Sequence, residues 1–440
     1  MRTFDRCVFA ILLGAWLLGA TGGQNAVAEP TAKGPYNILY IMSDQQRFDA
    51  LGVVDSRVQT PSLDRLSKEG VRFDRAYVAQ SLCTPSRAST FSGLYPHTHK
   101  LQGNVYGVDN VLADPQYNLS VVWPSLLQKA GYHTGYIGKW HLGEKGPPCF
   151  DEWDGYNSNL SHWTGKKQQS QYRSDQETDH AIEFLERNKA RQFALCVSYY
   201  PPHTPYDPPQ KFADIYTKST LKPAEYWGAV TAIDACVGRL IEKLDSLGLR
   251  DRTLVIFTAD HGDTFGLRPG SSHKGVSHDD AARVPLILRL PGVFEGGQMR
   301  TELVSNVDLM PTILNIASVA APSNLQGMSL VPLGRGSVAG WRTLVCNANG
   351  KDSDTRGIRT DRYKLILHHR AKKEIPLYEL YDLEKDPQER TNLFGKEQAD
   401  IIRPILDQFE AWGKTTNDKV GLNLASACRQ SLDKKAEKIK

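Results

Sequence analysis

The chain predicts an α/β fold: a large, doubly wound domain on a mixed, mostly parallel sheet, followed by a smaller antiparallel sheet with a helix. Three observations carry this. Continuous apolar runs of strand length recur at 37–42, 193–199 and 253–258, and strands apolar on both faces belong to parallel sheets covered by helices on either side. Helical stretches at 178–188 and 225–247 supply that cover. From position 341 onward, short runs at 341–348, 357–359, 363–368 and 377–381 lead into a helix at 396–412, the order of elements expected of a small antiparallel sheet packed on a helix.

At the N-terminus, Arg2 and Arg6 precede an apolar stretch from Val8 to Ala20, and small and polar residues then end in Ala26-Val27-Ala28. That is the layout of an export signal, residues 1–28, whose apolar part is too short to span a bilayer. No later run is long and apolar enough to do so. The expectation is an exported protein, periplasmic or secreted, with no stable membrane insertion after cleavage. A net charge of +4 on 440 residues gives no case for nucleic acid. The basic tail, 426–440, with Lys434, Lys435, Lys438 and Lys440, reads as a solvated, frayed end. Of seven cysteines, Cys7 falls in the export signal, and the five besides Cys83 contain no Cys-x-x-Cys pair. A zinc site is unsupported, and at most two disulfides are possible.

Ligand groups on parallel sheets gather at the carboxyl ends of strands. Asp44 with Gln45, His203, and Asp260 with His261 follow the three apolar runs, so they are expected to converge on one rim. A single aspartate after a strand more often caps a helix or makes a turn; the pairing of the two dipeptides favours a hard divalent cation, with Gln45 adding a neutral oxygen and His261 a nitrogen. Ca²⁺ is the first expectation, with Mn²⁺ or Mg²⁺ next because the imidazole softens the site.

Between these runs lies Cys83-Thr84-Pro85-Ser86-Arg87, leading to Gly93. It reads as a helix start, with Thr84 as cap, Pro85 in the first turn and Arg87 one turn on. A cysteine so placed beside an arginine has its thiolate favoured and is a candidate nucleophile. A second dense stretch, 131–143, reads as a strand between glycine turns that delivers Lys139 and His141 to the same side if extended. A cation and a proton carrier beside a nucleophile suit an anionic ester. Two further carriers are His203, among Pro201, Pro202 and Pro205, and Lys274, in Ser272-His273-Lys274-Gly275.

Cys83, Pro85, Ser86, Arg87 and Gly93 match the signature of the type I sulfatases, and 131–143 closely resembles that family's second signature. Arg283-Val284-Pro285, Tyr363-Lys364-Leu365 and the segment 379–389 are similar to its later segments, so the resemblance spans positions 36 to 412. It implies an alkaline phosphatase-like fold with a catalytic domain at 36–340 and a C-terminal subdomain at 341–425. It also implies that a maturation enzyme oxidises Cys83 to formylglycine. Asp44, Gln45, Asp260 and His261 would hold the cation together with residue 83. Arg87 and Lys139 would offset charge on the sulfuryl oxygens, His141 would activate the formylglycine, and His203 and Lys274 would bind sulfate and protonate the leaving oxygen.

One departure matters: most members carry a second aspartate where this chain has Gln45, a variant also met in the related phosphonate monoester hydrolases. The alternative activity is therefore phosphonate monoester or phosphodiester hydrolysis. A reading from another class is a binder of sulfated glycans in which Cys83 stays a thiol. A sulfated saccharide is the first-choice substrate, ahead of a sulfated small molecule. In the loops around the strand ends, Trp153, Tyr156, Trp163 and Tyr206 either stack on sugar rings or anchor those loops.

Overall fold

The computed structural model describes residues 35–158, 160–165, 170–269, 271–350, 354–370, 377–395 and 398–437; the expected export signal lies outside them. The large sheet is built from β1 (Asn37–Ser43), β2 (Val71–Tyr77), β3 (His133–Lys139), β4 (Glu152–Tyr156), β5 (Phe193–Tyr199), β6 (Thr253–Ala259), β7 (Leu286–Arg289) and β8 (Gln298–Ser305). Their spatial order is β8-β2-β7-β6-β1-β5-β3-β4. All neighbours are parallel except β7, which runs antiparallel between β2 and β6.

The apolar runs are continuous because both faces of the sheet are covered. Ile38, Tyr40 and Met42 of β1 enter one core, while Leu39 and Ile41 enter the other. The first core is closed by Ala88 and Phe91 of the helix Cys83–Ser92, by Trp123, and by a helix over Leu309–Ile316. Phe91 stacks on Trp123 at 5.5 Å between ring centroids and meets Trp140 edge-on at 5.1 Å. The second core is closed by the helices Arg173–Asn188 and Ala224–Ser246, through Phe184, Leu185, Ile233, Val237 and Leu240. Register then aligns the rim: Ser43 lies opposite both Tyr199 and Ala259, so Asp44, Tyr200 and Asp260 leave the sheet in one row.

The smaller sheet runs antiparallel in chain order through β9 (Val345–Asn349), β10 (Thr355–Arg359), β11 (Tyr363–His368) and β12 (Tyr378–Asp382). It meets the catalytic region directly. The Ala348 amide donates to the Ala79 carbonyl at 2.8 Å, and the Ser81 amide donates to Asn349 Oδ1 at 3.0 Å. Buried Lys364 of β11 pairs with Asp279 and with Glu389.

One expectation changes here. The chain after the sheet forms two helices, Ala399–Thr416 and Lys419–Glu437, so the tail is not frayed through Glu437. Asn417, at φ 58°, breaks the first helix, and Asp418 restarts the chain by accepting the Gly421 amide while paired with Arg356. Ala425, Cys428 and Leu432 then bury the second helix against Ile358, Leu365 and Leu380. Among the described residues, the six cysteines are buried and none forms a disulfide; the five besides Cys83 serve as small apolar groups inside the cores.

Candidate active site

The helix that begins at Cys83 is wholly buried. Gly93 ends it at φ 67°, in the left-handed region, with its amide donating to the Ser89 carbonyl; this is the conformation that makes glycine the usual residue just past a helix. Thr84 is not the cap. Leu82 holds that position without a side-chain bond, and the Thr84 hydroxyl donates to the His141 carbonyl at 2.9 Å. Cys83 therefore sits in the first turn, where helix amides and dipole favour an anion.

Cations converge on its sulfur. Lys274 Nζ lies 3.1 Å from Cys83 Sγ, His261 Nε2 3.2 Å and Lys139 Nζ 3.8 Å. Burial alone pushes the thiol pKa up, but Lys139, Lys274 and His261 outweigh it and hold the group well below the ordinary thiol range. The site is built to carry negative charge at residue 83.

Asp44, Cys83, Asp260 and His261 each direct one ligand atom into a cluster, all within 4.8 Å of one another and all buried. Burial and the neighbouring Cys83 work against ionised Asp44, yet Lys139, His203 and Arg87 keep it well below the usual carboxylate range. His261 Nδ1 faces the Gly262 carbonyl at 2.9 Å, a contact in which only the ring can donate, so Nε2 is the nitrogen turned to the cluster. Gln45 stands beside it at φ 70°. Its Oε1 accepts from Lys274 at 3.0 Å and its Nε2 donates to Asp263 at 2.7 Å.

Arg87 bridges the two carboxylates of the cluster. Its Nε donates to Asp260 at 2.9 Å, Nη2 to Asp44 at 3.1 Å, and Nη1 to the Lys139 carbonyl at 2.5 Å and Ser198 Oγ at 2.9 Å. With no exposed surface, its guanidinium clamps the two carboxylates. Lys139, also paired with Asp44, lies over the Tyr200 ring at 4.6 Å.

The 131–143 segment brings Lys139 and His141 together by another route than strand alternation. β3 ends at Lys139, and His141 adopts φ 57°, so a left-handed turn swings the imidazole back toward Cys83. Neither ring nitrogen of His141 has a hydrogen-bond partner. Burial lowers its pKa against the raising pull of Cys83, leaving a neutral base at pH 7. His203 Nδ1 donates to the Thr204 carbonyl at 2.6 Å, and its Nε2 accepts from Lys274 at 2.8 Å. All ten residues singled out from the sequence thus meet in one site.

Three further residues belong to this constellation. Tyr200 stacks on His203 with 4.9 Å between centroids, Tyr106 lies 5.5 Å from the His141 ring and is 59% exposed at the mouth, and Asp263 backs Gln45. Asp263 was signalled by its place directly after Asp260-His261-Gly262; the two tyrosines had no comparable mark. Of the four aromatics, Trp153 and Tyr156 lie in β4 rather than in a loop, and each of the four is held by a contact within the protein. Trp153 packs on Tyr136, Tyr156 donates to Glu177, Trp163 donates to the Asp207 carbonyl, and Tyr206 donates to Asp263.

Residues 36–319 match the sulfatase family, and residues 270–412 match the C-terminal region of N-sulphoglucosamine sulphohydrolase. The chain belongs to the sulfatase family. An arylsulfatase of Clostridium perfringens is 29% identical over 461 residues, covering 84% of this chain and 93% of that protein. A solved structure bound to its substrate D-glucosamine-2-N,6-O-disulfate is 25% identical with TM-score 0.75, covering 87% of this sulfatase and 98% of that chain. The phosphonate monoester hydrolase of Agrobacterium radiobacter, 21% identical with TM-score 0.74 and coverage of 87% and 96%, shares the fold. This sulfatase is a sulfuric ester hydrolase of the alkaline phosphatase-like fold.

Proposed function

We propose that the enzyme removes sulfate from a saccharide ester with formylglycine made from Cys83 as nucleophile and a hard divalent cation, Ca²⁺ first, at Asp44, Asp260, His261 and residue 83. The observation that carries this is the convergence of Lys274, His261 and Lys139 within 3.8 Å of Cys83 Sγ. That sulfur marks where the oxygens of the modified side chain would stand. The cluster suits the cation, since two buried carboxylates and one imidazole supply hard oxygen ligands and a nitrogen. Bound there, the cation would supply Lewis-acid polarisation of the sulfuryl oxygens.

The chain's own residues account for the remaining work. Lys139 and Lys274 face the reacting atoms and offset the negative charge that develops there, a role in which one donor is worth about 3 kcal/mol. Arg87 fixes Asp44 and Asp260 with respect to each other. The Lys274–His203 pair, in contact at 2.8 Å, holds the proton needed by the leaving ester oxygen. His141, neutral and unpartnered, accepts the proton of the second hydroxyl so that the aldehyde is restored as sulfate leaves. Serine at position 83 offers no second hydroxyl, so it cannot release sulfate this way.

The saccharide reading draws on the glucosamine disulfate bound by the similar structure. Among the described residues no helix is long and apolar enough to cross a membrane; export through a signal at 1–28 and maturation by a formylglycine-generating enzyme complete the reading. Gln45 and His261 keep a second reading open, hydrolysis of phosphonate monoesters or phosphodiesters. Steady-state kinetics on matched aryl sulfate and aryl phosphonate esters separate the two: higher kcat/KM on the sulfate is expected, and a clear preference for the phosphonate overturns the assignment.

A further inference from the structure

We propose that Asp263 is a positioning residue for this reaction, a buried carboxylate that holds Gln45 with its amide oxygen turned to Lys274. From one layer back it supplies the negative charge that position 45 lacks. The inference rests on the reading of the cation cluster and of Lys274 given above.

Asp263 has no exposed surface and accepts four hydrogen bonds. Gln45 Nε2 at 2.7 Å and the Tyr206 hydroxyl at 2.5 Å reach Oδ2; the Phe265 amide at 2.7 Å and His273 Nδ1 at 3.0 Å reach Oδ1. An ionised carboxylate has only acceptor sites, and here both oxygens are engaged. The consequence falls on Gln45. Asp263 can only accept, so it draws the NH₂ end of the amide; Lys274 can only donate, so Oε1 faces its ammonium at 3.0 Å. The backbone cannot swing away from this arrangement. Gln45 is held at φ 70°, its amide donates to Asp260 Oδ1 at 3.1 Å, and its carbonyl accepts from the Tyr226 hydroxyl at 3.1 Å. A continuous row therefore runs from Asp263 through Gln45 to Lys274, and from Lys274 to His203 and Cys83.

An isosteric exchange tests it. Asp263→Asn removes the charge and offers an amide that can oppose Gln45 with a donor; Gln45→Glu places two carboxylates at a hydrogen-bond separation. Each single variant is expected to lower kcat/KM on an aryl sulfate, and the calorimetric affinity for calcium alone, by at least about tenfold. The double variant Gln45→Glu/Asp263→Asn restores one charge and one amide and is expected to recover at least about tenfold of either loss, a coupling that independent structural damage does not produce. Should Asp263→Asn alone not fold, the double variant against Gln45→Glu makes the same comparison. Losses that multiply in the double variant, or an Asp263→Asn enzyme within twofold of wild type in both readouts, overturn the role of Asp263. A wild-type enzyme that neither turns over sulfate nor binds calcium overturns the functional reading instead.

Discussion

Replacing Lys274 by alanine removes one ammonium and three contacts at once: Cys83 Sγ at 3.1 Å, His203 Nε2 at 2.8 Å and Gln45 Oε1 at 3.0 Å. A ceiling on the loss comes from Coulomb's law, since unit charges at that separation interact by about 5 kcal/mol at an effective dielectric of about 20. The mutational scale for one electrostatic donor is lower, about 3 kcal/mol, or roughly a hundredfold in rate. Lys139, at 3.8 Å, and His261, at 3.2 Å, remain to share the charge, which sets a floor near tenfold, or about 1.4 kcal/mol. The expected result is a fall in kcat of about ten to two hundred times with KM changed less, because the charge grows toward the transition state. Initial rates on an aryl sulfate across a full concentration range measure both constants. An unchanged kcat, or a loss confined to KM, refutes the reasoning.

Chelation should abolish turnover and added calcium should restore it, followed by activity and elemental analysis; full activity in metal-free protein contradicts the cation site. Glu177 is buried with Oε1 accepting from Tyr156 and Oε2 without a partner, and burial raises its pKa from 4.5 to about 8. The folded state therefore holds the proton more tightly, and the contribution of Glu177 to stability falls as pH rises from 4.5 to 8. Glu177→Gln should raise the melting temperature at pH 8 more than at pH 5, which thermal melts at both values check. Asp418→Ala removes the carboxylate that pairs with buried Arg356 and should cost about 3–5 kcal/mol in denaturant unfolding of the C-terminal region.

Much of this was readable from the chain because the chemistry follows the sheet. Strands buried on both faces are continuous in sequence, and polar residues just beyond them must emerge at the rim, which located Asp44, His203, Asp260 and His261. What was not legible in the chain depends on three-dimensional partners. The partners of Arg87 come from Asp44, the Lys139 carbonyl, Ser198 and Asp260, on four different segments. Nothing local marks a guanidinium as a clamp between carboxylates. The turn that redirects His141 is a backbone event at a non-glycine residue, and β7 gives no local sign that it runs antiparallel between β2 and β6. The final helix hides its apolar stripe, Ala425, Cys428 and Leu432, in a segment whose many lysines read as solvated.

The measurement that bears most directly on the central claim is the chemical state of residue 83 in active enzyme, read by peptide mass spectrometry with an aldehyde-specific oxime label. The geometry around Cys83 Sγ predicts formylglycine in a fraction that tracks specific activity, and no turnover in Cys83→Ala at an unchanged melting temperature. A fully active preparation in which residue 83 is an unmodified thiol would contradict the mechanism.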